Sequence, residues 1–246
     1  MIRWVPSAPM AAAALAGLLA LSAPWSSVLA ADGATIANPV TTTIKPITDE
    51  DKGARADLAT DPALYLQLIA KLQDKGLYFA SLAHLDAFDR RWPGEKKAVL
   101  LRADALRETG YVNKASLLYE SLMKSPYEAG AQHGLGLIAS KQGDFNAALQ
   151  ALNRAAELDP TNAVVLNDLG YVQLLTSQMA DAGFNLHKAT ELDPQDTRAG
   201  ANLALYYVLD NKQSRAEGIM DWYRLSENQR KEIKDKADAL KGRNSP

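Results

Sequence analysis

The chain has no cysteine. That excludes disulfides, thiolate metal sites, a cysteine nucleophile and the acylation that anchors bacterial lipoproteins. Histidine is scarce. His84, His133 and His187 are far apart, and none has a second histidine four residues on. A metal site needs converging ligands, so no metal is expected and all three are read as surface or packing residues. His84 and His187 are assigned to outer helices, His133 to an inner one. Charge of one sign is also missing. Lys and Arg number 27 against 29 Asp and Glu, a formal charge of −2, which provides no general field for a phosphate backbone. No G-x-S-x-G, phosphate loop or dinucleotide fingerprint is present, and the acidic residues are spread along helices as a solvated face. No enzyme, no cofactor and no small-molecule substrate are expected.

Long apolar runs are few. Met10 to Leu21 is uninterrupted by charge but too short to span a bilayer comfortably. Arg3 precedes it, Pro24 breaks it, and Val28-Leu29-Ala30 places modest side chains at a cleavage position. Residues 1–30 therefore read as a secretory signal peptide, with an uncleaved anchor as the alternative. With no cysteine to acylate, the expected location is the periplasm. Residues 31–61 mix Thr, Pro, Asp and Lys without helical period and read as a flexible leader.

What remains is periodic. Residues 129–162 and 163–196 repeat one pattern. Leu135-Gly136 answers Leu169-Gly170, Ala148 answers Ala182, Leu152 answers Leu186, Ala155 answers Ala189 and Pro160 answers Pro194, each 34 residues on. A fixed period of that length marks a repeat solenoid. Gly136 and Gly170 on a first helix, with Ala148 and Ala182 on a second, allow close approach of two helix axes. Further units read over about 62–95, 96–128 and 197–225. Pro126 follows Pro93 by only 33 residues, so one residue is lost near Lys124-Ser125-Pro126. Gly76, Gly110 and Gly143 occupy the turn within a unit, where positive φ is needed. Asn211 suits it too, whereas Ser177 predicts a turn of different shape. Asp61, Asn162 and Asp196 suit N-caps. Ser226 and Gln229 form a capping-box signature. The helix that follows carries Ile233, Ala237 and Leu240 on one stripe, so 226–246 reads as a capping helix and tail.

These residues resemble the tetratricopeptide repeat (TPR) family. The resemblance implies an all-α superhelical solenoid of about five helix-turn-helix repeats plus a C-terminal capping helix. It also implies that protein ligands lie along the first helices, in a groove formed here by Leu66, Ala70, Leu100, Asp104, His133, Leu137, Asn167, Tyr171, Asn202 and Leu205. Asn167 and Asn202 are candidates for bonding an extended backbone; Tyr171 and Leu137 for taking apolar side chains. For Asn202 a tie between neighbouring helices is an equal alternative, because a semi-buried amide must be satisfied either way. The groove lacks the Lys and Asn set with which chaperone-binding members clamp a C-terminal carboxylate. Within the family, NDLGYVQLL and ANLALYYVLDN look like the TadD-type component of tight-adherence (Flp) pilus assembly. That resemblance implies envelope partners of a pilus or secretin machine. A scaffold of an exopolysaccharide export complex and an accessory subunit of an envelope enzyme are the alternatives.

Overall fold

A computed structural model describes residues 60–243. The signal-peptide reading, nearly all of the leader and the last three residues lie outside the described part. Among the described residues every regular element is an α-helix. Ten helices alternate along the chain: α1 (Pro62–Asp74), α2 (Tyr78–Arg91), α3 (Lys96–Glu108), α4 (Val112–Glu120), α5 (Glu128–Gln142), α6 (Phe145–Leu158), α7 (Ala163–Leu175), α8 (Met179–Leu192), α9 (Thr197–Leu209) and α10 (Gln213–Trp222). They pair as α1/α2 through α9/α10, and each second helix also packs on the next first helix. An eleventh helix, α11 (Glu227–Arg243), follows. None of them is long and apolar enough to cross a membrane.

Local chemistry explains where the helices begin. Asp61 accepts from the Ala63 and Leu64 amides, Asn162 from Val165 and Asp196 from Arg198, so each fills part of an otherwise unpaired first turn. The Ser226 and Gln229 pair closes reciprocally. The Ser226 amide donates to Gln229 Oε1 at 2.7 Å and the Gln229 amide to Ser226 Oγ at 3.4 Å.

One turn joins the two helices of every unit. After α1, α3, α5, α7 and α9 a residue takes positive φ, and the next amide reaches back five residues to a carbonyl. The five bonds are Leu77 to Leu72, Tyr111 to Leu106, Asp144 to Ala139, Gln178 to Gln173 and Lys212 to Tyr207, at 2.8–3.0 Å. This is the Schellman closure. The left-handed residue is Gly76, Gly110, Gly143, Ser177 or Asn211, with φ between 57° and 87°. The expectation for Ser177 is thereby corrected. At φ 60° it keeps the shape of its neighbours, because the closing bond and the packing of α7 on α8 outweigh a left-handed cost of roughly 1–2 kcal/mol.

Joins between units are different. At Trp92, Asp159 and Asp193 the helix ends on an extended residue that bonds four back. Between the second and third units, α4 stops at Glu120 and Lys124 takes φ 65°. The missing residue falls in this connection, where the fully buried Leu122 plugs the space beneath.

The core is a succession of local clusters. Leu66, Ile69, Leu85 and Phe88 with Ala98 and Leu101 form one; Ala103, Ala115, Tyr119, Leu122, Ala131 and Ile138 the next; Ala148, Leu152, Leu169 and Val172 a third. The fourth holds Leu186, Leu203, Ala204, Met220 and the α11 residues Ile233, Ala237 and Leu240. Each cluster joins neighbouring helices only, as stacking along one direction requires.

The glycines of the two best-matched units are interlocks. A Cβ on Gly136 would lie 2.7 Å from Leu152 Cγ, and one on Gly170 would lie 2.7 Å from Leu186 Cγ. The Ala148 and Ala182 carbonyls follow at 3.4 and 3.3 Å. Three further glycines, Gly134, Gly183 and Gly200, lie flush against the rings of Tyr119, Tyr206 and Tyr223.

Candidate functional site

The inner face of the array is lined by the first helices, and its residues separate into two groups. Over α3 and α5 the apolar positions Leu100 and Leu137 are half-buried and reachable. Leu100 rests against Gly130, whose missing side chain leaves room for it. Ala70, on α1, is also half-buried, whereas Leu66 is buried at 4% exposure in the first core cluster and offers nothing to a ligand.

Between the two leucines runs a line of polar groups. Tyr119 Oη donates to Asp104 Oδ1 at 2.7 Å, and Arg107 Nε donates to Tyr119 Oη at 3.2 Å. Arg107 also pairs with Glu108 at 2.6 Å. Burial pushes the Asp104 carboxyl up, against the pull of the Tyr119 hydroxyl and of Arg107. Burial raises the Tyr119 phenol as well, and the Asp104 charge adds to it.

One unit further on, His133 Nε2 donates to Asp168 Oδ2 at 2.8 Å. Arg198 approaches the other oxygen at 3.3 Å, and Asn167 Nδ2 donates to it at 3.2 Å. Asn202 Nδ2 then donates to Asn167 Oδ1 at 2.9 Å. Burial alone would raise Asp168. The His133 hydrogen bond, the Arg198 and His133 charges and the Asn167 amide outweigh it, and the carboxyl sits below its ordinary value. This network ties α5, α7 and α9 together across three units.

The structure therefore places the two asparagines elsewhere than a peptide-binding role requires. Asn167 is fully buried and Asn202 is buried, and each amide is used by the other. The helix-tie alternative describes Asn202. Sequence reasoning missed Asp168, the hub of the network. A carboxylate inside a leucine-rich helix, NDLGYVQLL, was its available signal, since a buried charge demands partners.

Leu205 and Tyr171 are covered. Leu205 is 1% exposed and belongs to the cluster that α11 completes. Tyr171 packs against the same cluster, and Lys236 of α11 stands 5.0 Å from its ring centroid. Burial, with Glu232 nearby, pushes the Tyr171 phenol up to about 12.

His84 and His187 are not on an outer surface. Both are half-buried, bonded to Tyr65 Oη at 3.0 Å and to Tyr207 Oη at 2.9 Å. They are packing residues on inward sides of α2 and α8. Among the described residues no group of three His, Cys, Asp or Glu converges as a metal site would.

Residues 136–176 match the model of the TPR repeat family. TPR repeat-containing protein PA4299 of Pseudomonas aeruginosa is 28% identical over 73% of this chain and 72% of its own length. A solved thermophilic TPR protein of Thermus thermophilus superposes with a TM-score of 0.59 at 19% identity, over 73% of this chain and 98% of that one. Residues 41 to the end of MamA from Desulfovibrio magneticus RS-1 superpose with a TM-score of 0.50 at 19% identity, over 68% of this chain and 97% of that one. The described residues have the fold of a TPR solenoid: helical pairs stacked one after another, with a further helix at the end.

Proposed function

We propose that this protein is an exported, non-catalytic scaffold that holds a segment of an envelope protein on its inner face, and that it assists assembly of a tight-adherence (Flp) pilus or secretin machine. One observation carries the binding part. Leu100 and Leu137 are half-buried on the first-helix face of α3 and α5, each one helical turn from a tied polar residue, Asp104 and His133. Two apolar positions with fixed polar groups between them suit a segment that buries side chains and bonds through its backbone. The rigid ties on Asp104 and His133 hold that surface in one shape before a partner arrives, which lowers the ordering cost of binding. The likeness of NDLGYVQLL and ANLALYYVLDN to TadD-type proteins supports the pilus part. The signal-like residues 1–30 support export, with Ala31 as the first residue of the mature protein.

The test is a Leu137→Glu variant in the native organism. It should fold, because the side chain is not in the buried core, and it should lose co-purifying envelope partners and surface pili. Phe184→Ala is the matched control, on a second helix at 68% exposure. His187→Ala would not serve, since it breaks the bond to Tyr207. A Leu137→Glu strain with normal pili and partners rules out the inner face. Loss of polysaccharide export with intact pili rules out pilus assembly. Edman sequencing of the mature chain checks export; an intact Met1 in the membrane fraction contradicts cleavage.

A further inference from the structure

The fifth pair ends unlike the other four. Its second helix, α10, closes with the turn used inside units rather than between them. Arg224 takes φ 50°, and the Leu225 amide bonds back to the Met220 carbonyl at 2.9 Å. No proline intervenes. A turn of this kind folds the next helix back along its predecessors, and α11 accordingly packs on α9, with far less contact on α10. It thereby lies on the inner face of the last two units, beside Leu205 and with Lys236 over Tyr171.

We propose that α11 is a displaceable occupant of that face, and that the partner segment used there is an amphipathic helix of the same pattern. The pattern is apolar at i, i+4 and i+7 with a cation at i+3, as in Ile233, Ala237, Leu240 and Lys236. The inference rests on the inner-face reading above and names the chemistry of the partner for its covered half.

Three observations point to displacement. First, α11 contributes only three buried apolar side chains from a helix of 17 residues. Second, two of its cations are held at its ends. Arg230 bonds the Leu225 carbonyl at 2.9 Å and Asp221 at 2.7 Å, and Lys241 bonds Asn211 at 2.9 Å. The Asp221 side of the Arg230 pair and the Lys241 bond to Asn211 are exposed, and breaking exposed contacts of that kind costs little. Third, two residues are held against their preference. Arg224 is a non-glycine residue in left-handed conformation. Lys236 is lowered by burial, with Glu232 acting in the opposite direction.

The surface beneath is the reverse. Tyr171, Leu205 and the Asn202 and Asn167 pair are fixed by neighbours in α7 and α9. A second helix with the same stripe meets a preformed seat, and a rigid seat with a weakly held occupant is the arrangement that competition requires.

The experiment uses the full chain and a fluorescein-labelled peptide of residues 226–243. An Ala237→Glu variant places a charge at a fully buried α11 position and should free the seat. The peptide should bind this variant at least tenfold more tightly than it binds wild type, and an Ala237→Glu peptide should bind neither. Equal binding to both chains, or no binding to a variant that keeps its helical circular dichroism, overturns the proposal. Hydrogen exchange on the unmodified chain supplies a second measurement that no misfolding can confuse. The α11 amides should exchange at least a hundredfold faster than those of α9; equal protection overturns displacement. No envelope partner enters either experiment, so failure of the pilus reading leaves both intact.

Discussion

The third and fourth pairs carry nearly the same pattern and meet different surroundings. Their interlocks superimpose in chemistry: glycine against leucine, with an alanine carbonyl behind. Yet α5 alternates buried and half-buried residues along much of its length, whereas α7 buries six in succession, Val165 to Gly170. The repeat pattern sets how a pair closes on itself. What lies beyond the pair, here Arg198 of α9 and Lys236 of α11, sets which of its remaining residues see water. Equivalent positions in a solenoid thus share a packing role and need not share a binding role.

The interlock offers the strongest way to break this equivalence. Gly170→Leu should destabilise by about 3 kcal/mol, because the new side chain meets Leu186 and a backbone carbonyl that cannot move aside. Gly136→Leu should cost the same within error in urea unfolding. A large difference between them would show that the pairs are not alike even in their cores.

Next in size is the hub. Asp168→Ala leaves His133 and Asn167 without a shared acceptor and Arg198 without its partner, a loss of roughly 2 kcal/mol. Asp104→Asn, at the neighbouring station, should change stability by less than about 1 kcal/mol, since the amide oxygen still accepts from Tyr119 and a buried charge is removed. Equal losses would mean that Asp104 is held as tightly as Asp168.

The same two carboxylates give opposite pH dependence. Asp168 is depressed, so its stabilisation is present above the usual carboxylate value near about 4 and disappears as pH falls through the folded value. Asp104 is raised, so its ionisation weakens the fold as pH rises from about 4 through its folded value. In urea titrations from about pH 3 to about pH 7, Asp168→Asn should differ most from wild type at the neutral end. Asp104→Asn should remove a decline on the way up.

The smallest effect belongs to the turn. Ser177→Gly should stabilise by about 0.5–1 kcal/mol, relieving left-handed strain at some entropic cost, and thermal melting would read it. Gly143→Ser in the matching turn should lose a similar amount.

Much of this was legible beforehand. The 34-residue offset gave the pairing of helices, and the Gly136 and Gly170 interlocks follow from a small residue facing a leucine at fixed separation. Cap residues such as Asp61, Asn162 and Ser226 act within a few residues of themselves, so local reading reaches them. The inner face was less legible. Burial of Asn167, Asn202 and Leu205 depends on contacts between α5, α7, α9 and α11, which no single repeat encodes. The tyrosine seats of Gly134, Gly183 and Gly200 show the limit clearly. Glycine inside a helix announces close approach, but the ring that fills it comes from another element, at a register set by stacking.

The shortened α4 has a consequence of its own. A residue lost inside a helix would rotate every later side chain by about 100°, since about 3.6 residues complete a turn. Here the loss falls in the connection around Lys124, the helix gives up its last turn, and the 34-residue beat resumes unaltered at α5. The array behaves as a row of beads whose string can be shortened without turning the beads. Length variation at the connections is thereby decoupled from side-chain phase, and a lineage of such chains can drift in spacing while every interlock stays in step.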